Sequence, residues 1–473
     1  MAGPLGPYIP CVDAPLRRRF DEARDLLRRG EHDRAIVPLQ EVVAAHPDSA
    51  DARTALAMAC YGAGQLGAAV DEFRELHRRF PQDVKAASNL AAILSEVGQQ
   101  EEALERVGAA LRLDPSNVGA LGNLGEILRR LGNWEGARDV YATALTIAPA
   151  DPTRHLQHGL ALLGLGNWGA GWPAYEYRFR STTHAIAMEP VSSPRLQPGE
   201  SPRGRRVLIV HEQGLGDSVM FSRLAAALAA RGATVHLRAP AVLVPLLGQV
   251  AGVASCTAIG TPMPAHDVHV PLLSIPHALR LRTALVSGTP YLHAPGPCPA
   301  HVAAVLPPDD RLTVALCWSG NPRHVDNRRR SIRTELLEPL RGLPGVRMAT
   351  LQKSPGAEEL LPAAWRADWV DAGAACHDFA DSAHALERVD LVVTVDSAVA
   401  HLAGALGRPT RLLLPVAPDF RWELGTDRSR WYDTLRLVRQ EREFDWPGVI
   451  VRVREEILRL AAERRGGAHA TDP

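Results

Sequence analysis

Four prolines in the first third of the chain, Pro47, Pro81, Pro115 and Pro149, stand 34 residues apart, and other residues keep the same step. Ala35, Ala69, Ala103 and Ala137 form one register, and Gly30, Gly64, Gly98, Gly132 and Gly166 form another. A large apolar or aromatic residue follows four after each alanine: Leu39, Phe73, Val107 and Tyr141. A fixed period of this length means one supersecondary unit repeated along the chain, each too small to bury its own apolar face. The residue types fit two helices per unit. Glycine permits the tight turn between them, the small alanine lets the second helix approach its neighbour, and proline ends the unit because it cannot continue a helix. Leu90/Leu94 and Leu124/Leu128 fall at i, i+4 and face the stacked core.

This pattern resembles the tetratricopeptide repeat, with four good units over residues 16–151. A fifth, 152–180, keeps Gly166 but has Gly171 in place of the small alanine and no closing proline, as terminal units of solenoids often do. The array is expected over 16–180. Its concave face suits a protein partner or an acceptor, the alternative being a purely architectural spacer. The stretch 167–180, NWGAGWPAYEYRFR, is dense in aromatics that either stack on a sugar or base or dock the last repeat on the next domain. Residues 181–203, rich in Ser, Pro and Thr, read as a linker.

From residue 206 the periodicity changes. RVLIVH is a continuous apolar run, as in a parallel strand covered on both faces. It is followed by EQGLGDS and a helical stretch, then by strand-like VHLRA (235–239) and DVHVPLLS (267–274). After the Pro-rich crossing 295–311, a second set begins at LTVALCWSG (312–320) and continues through VRMATLQ (346–352), VDLVVTVD (389–396) and TRLLLP (410–415). Strands alternating with helices predict two Rossmann-like doubly wound domains, 204–300 and 312–464, with ligands bound between the carboxyl ends of their strands. Residues 465–473 read as a disordered tail.

The segments VLIVHEQGLGDSVMFSRL, CWSGNPRHVDNRRRSI and VTVDSAVAHLAGALGRPT resemble the motifs of heptosyltransferase-related glycosyltransferases. The whole chain is similar to bacterial tetratricopeptide-repeat proteins that carry such a domain, over roughly 160–450. The resemblance implies a GT-B fold behind an N-terminal α-solenoid, thus a multidomain α plus α/β chain. It also implies inverting transfer from a nucleoside-diphosphate sugar to a glycan or protein hydroxyl, with no cofactor and no essential metal. The alternative is a non-catalytic repeat scaffold with a vestigial glycosyltransferase domain.

Glycosyl transfer needs a base for the acceptor, charge stabilisation for the leaving diphosphate, and positioning. Gly214 and Gly216 allow a ligand close to the backbone where a helix opens after the first strand. Asp217 matches the position the family uses as candidate base, the alternative being a helix-cap aspartate. Glu212 is a second carboxylate in that turn and a substitute base. The loop from Asn321 to Arg333 carries Arg323, Arg328, Arg329, Arg330 and Arg333, a set suited to diphosphate capture. Arg330 stands where the family places a phosphate-binding lysine, and Lys353 is a second donor-side cation. Asp396, Ser397 and Ala398 open a helix whose first N–H groups suit a phosphate, with His401 one turn on. The alternatives there are an ordinary helix start and a packed core histidine. The resemblance also implies a ribose contact from Glu358 or Glu359. In PVAPDFRW (415–422), Asp419, Arg421 and Trp422 are candidates for the donor edge, against a structural turn.

Bulk properties narrow the field. Lys plus Arg equals Asp plus Glu at 53 each, so no overall field favours nucleic acid. Six dispersed cysteines, with no Cys-x-x-Cys pair, argue against a disulfide framework or a zinc motif. His266 and His269 cannot share one face of a strand, so no metal site is expected there. The N-terminal stretch has no apolar signal region, and no run approaches about 18 apolar residues. A cytoplasmic protein without a transmembrane segment is the expectation.

Overall fold

The computed structural model describes residues 14–181, 186, 188–281, 287–322, 324, 326–353, 363–365 and 368–468. The chain divides into two compact units, residues 1–161 and 162–473.

The first unit is a stack of antiparallel helix pairs. They are α1 (Ala14–Arg28) with α2 (His32–Ala45), α3 (Ala50–Gly62) with α4 (Leu66–Arg79), α5 (Val84–Glu96) with α6 (Gln100–Leu113), and α7 (Val118–Arg130) with α8 (Trp134–Ile147). The division into units falls within α9 (Pro152–Gly164). Each register seen in the sequence has a job. Gly30, Gly64, Gly98, Gly132 and Gly166 all have φ between 74° and 87°, the left-handed turn that glycine adopts without penalty. The residue after each glycine then donates back across the helix end, as in Gln65 N–H to the Cys60 carbonyl at 2.8 Å, which satisfies carbonyls the helix leaves open. A further register of period 34 was not read from the sequence: Ser49, Asp83, Asn117 and Asp151 each accept a hydrogen bond from the start of the following helix, satisfying exposed helix-start N–H groups. Ala35, Ala69, Ala103, Ala137, Leu39, Phe73, Val107 and Tyr141 are all fully buried.

In the second unit, α10 (Trp168–Tyr175) precedes two parallel sheets. Gly171 stands one step after Ala137, and a Cβ there would lie 2.8 Å from the Leu163 side chain, so this unit needs the still smaller residue. The first sheet has the order β3-β2-β1-β4, with β1 Arg206–Val210, β2 Thr234–Ala239, β3 Val253–Ala258 and β4 Val268–Pro271. The second has the order β10-β9-β8-β5-β6-β7, with β5 Leu312–Cys317, β6 Val346–Thr350, β7 Trp369–Asp371, β8 Leu391–Val395, β9 Thr410–Leu414 and β10 Leu435–Arg439. All ladders are parallel. The runs β5 and β8 are buried throughout, which is why they read as unbroken apolar stretches. The helix Trp446–Ala468 packs Trp446, Val449, Ile450, Val453, Ile457 and Ala461 on one face of the second sheet.

Two boundaries differ from expectation. The 181–203 segment is not a free linker: Arg195 bridges His269 in parallel, the Leu196 N–H reaches the His269 carbonyl at 2.8 Å, and Glu189 grips the buried Arg238 guanidinium. It covers the β4 edge, which would otherwise expose unpaired backbone groups. At the other end, the helix runs through Ala468, past the point where a tail was expected; 469–473 lie outside the described residues.

Candidate functional site

The aromatic stretch 167–180 forms a packed core rather than a stacking platform. Trp168 stacks on Trp431 at 5.2 Å, and Trp172 meets Tyr175, Phe221 and Phe420 edge-on. These rings deliver Arg178 into the first lobe, with its guanidinium 4.6 Å from the Tyr175 ring and 4.2 Å from that of Phe179. There it donates to Glu212 through Nε at 3.0 Å and Nη2 at 2.8 Å, while the Leu273 N–H donates to the same carboxylate. Glu212 is fully buried. A carboxylate held this way cannot meet an acceptor, so Glu212 is a structural ion-pair partner and not a second base.

One residue on, Gln213 has φ 63°, a conformation that costs a non-glycine residue about 1 kcal/mol. Its amide donates to the Tyr175 hydroxyl at 2.8 Å, which holds the strained turn. The turn starts the helix Leu215–Ser222 at Gly214, whose N–H donates to Asp217 Oδ2 at 2.9 Å. Asp217 Oδ1 accepts from Arg421 Nη2, and Arg421 Nη1 donates to Asp419 Oδ1 at 2.6 Å. Arg421 is buried and lies over the Phe420 ring at 4.4 Å. The candidate base of the first lobe thus meets a cation of the second, one presented by the loop after β9.

The second helix start lies beside the first. A Cβ on Gly216 would lie 2.8 Å from the His401 ring and 3.2 Å from the Ala398 Cα. Gly216 is therefore required for contact between two helix starts, and not for approach of a ligand as the sequence suggested. Ser397 precedes the helix Ala398–Ala405 without a side-chain cap hydrogen bond, and residues 396–399 are half-buried. The Ser397 hydroxyl lies 3.1 Å from that of Thr394. Burial, with the Asp419 carboxylate adding to it, pushes Asp396 up to about 6, against the pull of Arg330, Arg421 and the Trp422 indole. Burial also raises Asp419, but Arg421 outweighs it and holds Asp419 below its ordinary value. His401 is buried, stacked 5.3 Å from Trp422, with Nδ1 3.1 Å from the Tyr432 hydroxyl. Burial, reinforced by Arg421, drives it down to about 3. It is a neutral packed histidine.

Arg330 ends the short helix Asn327–Arg330, and its guanidinium lies against Gly320, where a Cβ would sit 2.6 Å from Nη2. It acts electrostatically on Asp396, and His324 lies within reach of Arg330, Asp419 and Asp217. Asn321 is exposed at the head of this turn, its carbonyl accepting from the His324 N–H at 3.0 Å. Lys353 follows another route: its ammonium donates to the Cys376 carbonyl. Gln352 beside it was not singled out by the sequence, yet its Oε1 accepts the Trp318 and Ser319 N–H groups at 3.0 Å each and so fixes the loop after β5. Arg323, Glu358 and Glu359 lie outside the described residues. A shallow recess of about 690 Å³ lined by Glu200, Arg203, Arg231 and Arg280 shares no residue with this group.

Comparison with known proteins bears on the first unit and part of the second. The tetratricopeptide repeat family matches residues 20–84 and 89–152, and the N-terminal helices are tetratricopeptide repeats. The chain is 28% identical over 324 residues to Protein FlbA of Caulobacter vibrioides, covering 62% of this chain and 53% of that protein. The chain therefore spans about half the length of the curated relative it matches. A solved structure of Pseudomonas aeruginosa pilF is 22% identical, with TM-score 0.31 over 34% of this chain and 74% of that one. A thermophilic repeat protein of Thermus thermophilus is 17% identical, with TM-score 0.32 over 36% of this chain and 92% of that one. Among the described residues, no helix is long and apolar enough to cross a membrane.

Proposed function

We propose that the second unit is an inverting glycosyltransferase that uses a nucleoside-diphosphate sugar, and that the repeats hold a protein partner or the acceptor. The reading rests on one observation above all, the ion pair by which Asp217 at the first sheet's helix start meets Arg421 from beyond the second sheet. Around it stand Arg330, Asp419 and the half-exposed helix start at 397–399. A diphosphate entering beside Arg421 competes with Asp217 for the guanidinium, because Arg binds phosphate oxygens in a bidentate fork. That releases Asp217 Oδ1. The acceptor oxygen then forms its bond to the anomeric carbon as the bond to the diphosphate oxygen breaks. The acceptor proton passes to Asp217, and the leaving diphosphate takes its electron pair under stabilisation by Arg421, Arg330 and the helix-start N–H groups. Asp419 and Asp396 repel the incoming anion, and the protonation of Asp396 below about pH 6 weakens that repulsion.

The competing reading is a non-catalytic scaffold. It draws on the same contact, since both oxygens of Asp217 already have partners. Ligand binding separates the two. A site with a dissociation constant near 10 μM stabilises the fold by about 2.7 kcal/mol at about 1 mM ligand. One of ADP, UDP, GDP or CDP should therefore raise the unfolding midpoint, and silence from all four would favour the scaffold. Given a donor found by mass spectrometry, Asp217→Asn should abolish transfer while nucleotide affinity stays at or above that of the wild type, because the carboxylate that competes for Arg421 has lost its charge. Undiminished turnover by that variant would remove Asp217 from the role of base. Arg330→Ala should weaken nucleotide binding instead.

A further inference from the structure

His301 and His377 lie 76 residues apart in sequence and belong to no motif, yet the fold brings both to one carboxylate. His301 is the second residue of the helix Ala300–Val305, which leads the chain into β5. His377 precedes the helix Phe379–Glu387, capped by Asp378, and Asp381 is in its first turn. One ligand atom from each of His301, His377 and Asp381 falls within 4.8 Å of the other two. The His301 Nε2 and Asp381 Oδ2 are 3.1 Å apart, and the two imidazole rings stand 4.9 Å apart at 40°.

These distances approach those of a coordination shell. With metal–ligand bonds of 2.0–2.1 Å, a tetrahedral zinc site has ligand–ligand edges of about 3.3 Å. The His301–Asp381 edge is already that short. The widest separation has to close by about 1.5 Å, within reach of a ring rotation, since both imidazoles are exposed and His301 is 44% exposed at its side chain. The carboxylate, by contrast, is buried and held. Its Oδ2 accepts the His377 N–H at 2.8 Å, and its own N–H is bound by Asp378 Oδ1 at 2.9 Å. A fixed anion backed by a main-chain donor, with two movable imidazoles above it, is the arrangement in which an outer shell orients the ligands. Two nitrogens and one oxygen suit zinc and its neighbours, whereas calcium and magnesium prefer all-oxygen sets.

We propose that His301, His377 and Asp381 bind one divalent transition-metal ion of the zinc type, with water in the fourth position. The ion takes the place of the hydrogen bond between His301 and Asp381, and it clips the helix that enters the second sheet to the helix that precedes β8. The site is independent of the glycosyltransferase reading.

The test uses the full chain, free of any added histidine tag and stripped of metal. Zinc is titrated in competition with a chromophoric chelator, and cobalt is added separately for its absorbance. The wild type should bind one zinc equivalent and give the intense visible bands of four-coordinate cobalt. His301→Gln and His377→Gln should each weaken zinc by at least about tenfold and flatten the cobalt spectrum. Because both side chains are at the surface, the variants should keep the wild-type circular dichroism. Zinc affinity unchanged in the double variant, or cobalt bands of a six-coordinate ion in the wild type, would overturn the assignment. So would a wild type that leaves all zinc on the chelator.

Discussion

Arg421 stands between two carboxylates, and losing it should do more damage than losing either. Its side chain is 9% exposed, with Asp217 at 16% and Asp419 at 36%. Removing one partner of a buried pair typically costs 3–5 kcal/mol because a desolvated charge is left behind. With these neighbours partly solvated, Arg421→Ala should cost about 3 kcal/mol in urea denaturation. Asp217→Asn leaves Arg421 still paired with Asp419, so its cost should stay below about 1 kcal/mol. Equal losses would mean that Asp419 alone does not keep the Arg421 charge paired. Asp217 itself was legible in the sequence, because Gly-x-Gly-Asp after an apolar strand is a local pattern. Its partner lies 204 residues away, and only the topology of two sheets brings it there; the sequence offered Arg421 as one candidate of several. The role of Glu212 is hidden for the same reason, since burial beside Arg178 leaves no trace in the spacing of neighbouring residues.

Elements built from local contacts were the ones read best. The repeats are set by helix-start, turn and small-residue positions within about a dozen residues of each other, so a period of 34 carries most of their geometry. The strands β7 and β10 leave no clear signal in the sequence because they are edge elements, three and five residues long, without an unbroken apolar run. Within the array, two glycines test how far packing between paired helices governs stability. A Cβ on Gly125 of α7 would lie 2.3 Å from the Tyr141 ring of α8, and Tyr141 is fully buried. Overpacking of this kind costs about 1–3 kcal/mol, so Gly125→Ala should lower the midpoint of helix loss followed by circular dichroism. Gly67 sits in the first turn of α4 with nothing within 4 Å of the added carbon. There alanine restricts only the unfolded chain, and Gly67→Ala should gain a few tenths of a kcal/mol up to about 1. Two changes of the same sign would show that packing at Gly125 is looser than the contact implies.

Across the second unit, buried and half-buried histidines should set the response to acid. Burial lowers His211, His236, His269, His277 and His401, the last to about 3. A lowered histidine gives stability that is whole above its unfolded value of about 6.5 and is lost as the pH falls towards the folded value. For His401 alone, acidification from about pH 6.5 to 5 should remove about 2 kcal/mol, at 1.36 kcal/mol per unit. Asp396, raised to about 6, works in the opposite sense. Its contribution is whole below about pH 4 and is lost as the pH rises through 6, so between pH 6 and 5 it returns about 1 kcal/mol. The histidines outnumber it, and the unit should be weaker at pH 5 than at pH 7.5. Eight of the nine tryptophans lie in residues 162–473, so the fluorescence transition in urea reports on this unit. His401→Gln cannot titrate and should lose about 2 kcal/mol less than wild type on acidification. Asp396→Asn forgoes the compensating gain and should lose about 1 kcal/mol more. Acid responses that are identical in the wild type and both variants would mean that neither group is held away from its ordinary protonation, and the close contact of the two helix starts would then need another electrostatic account.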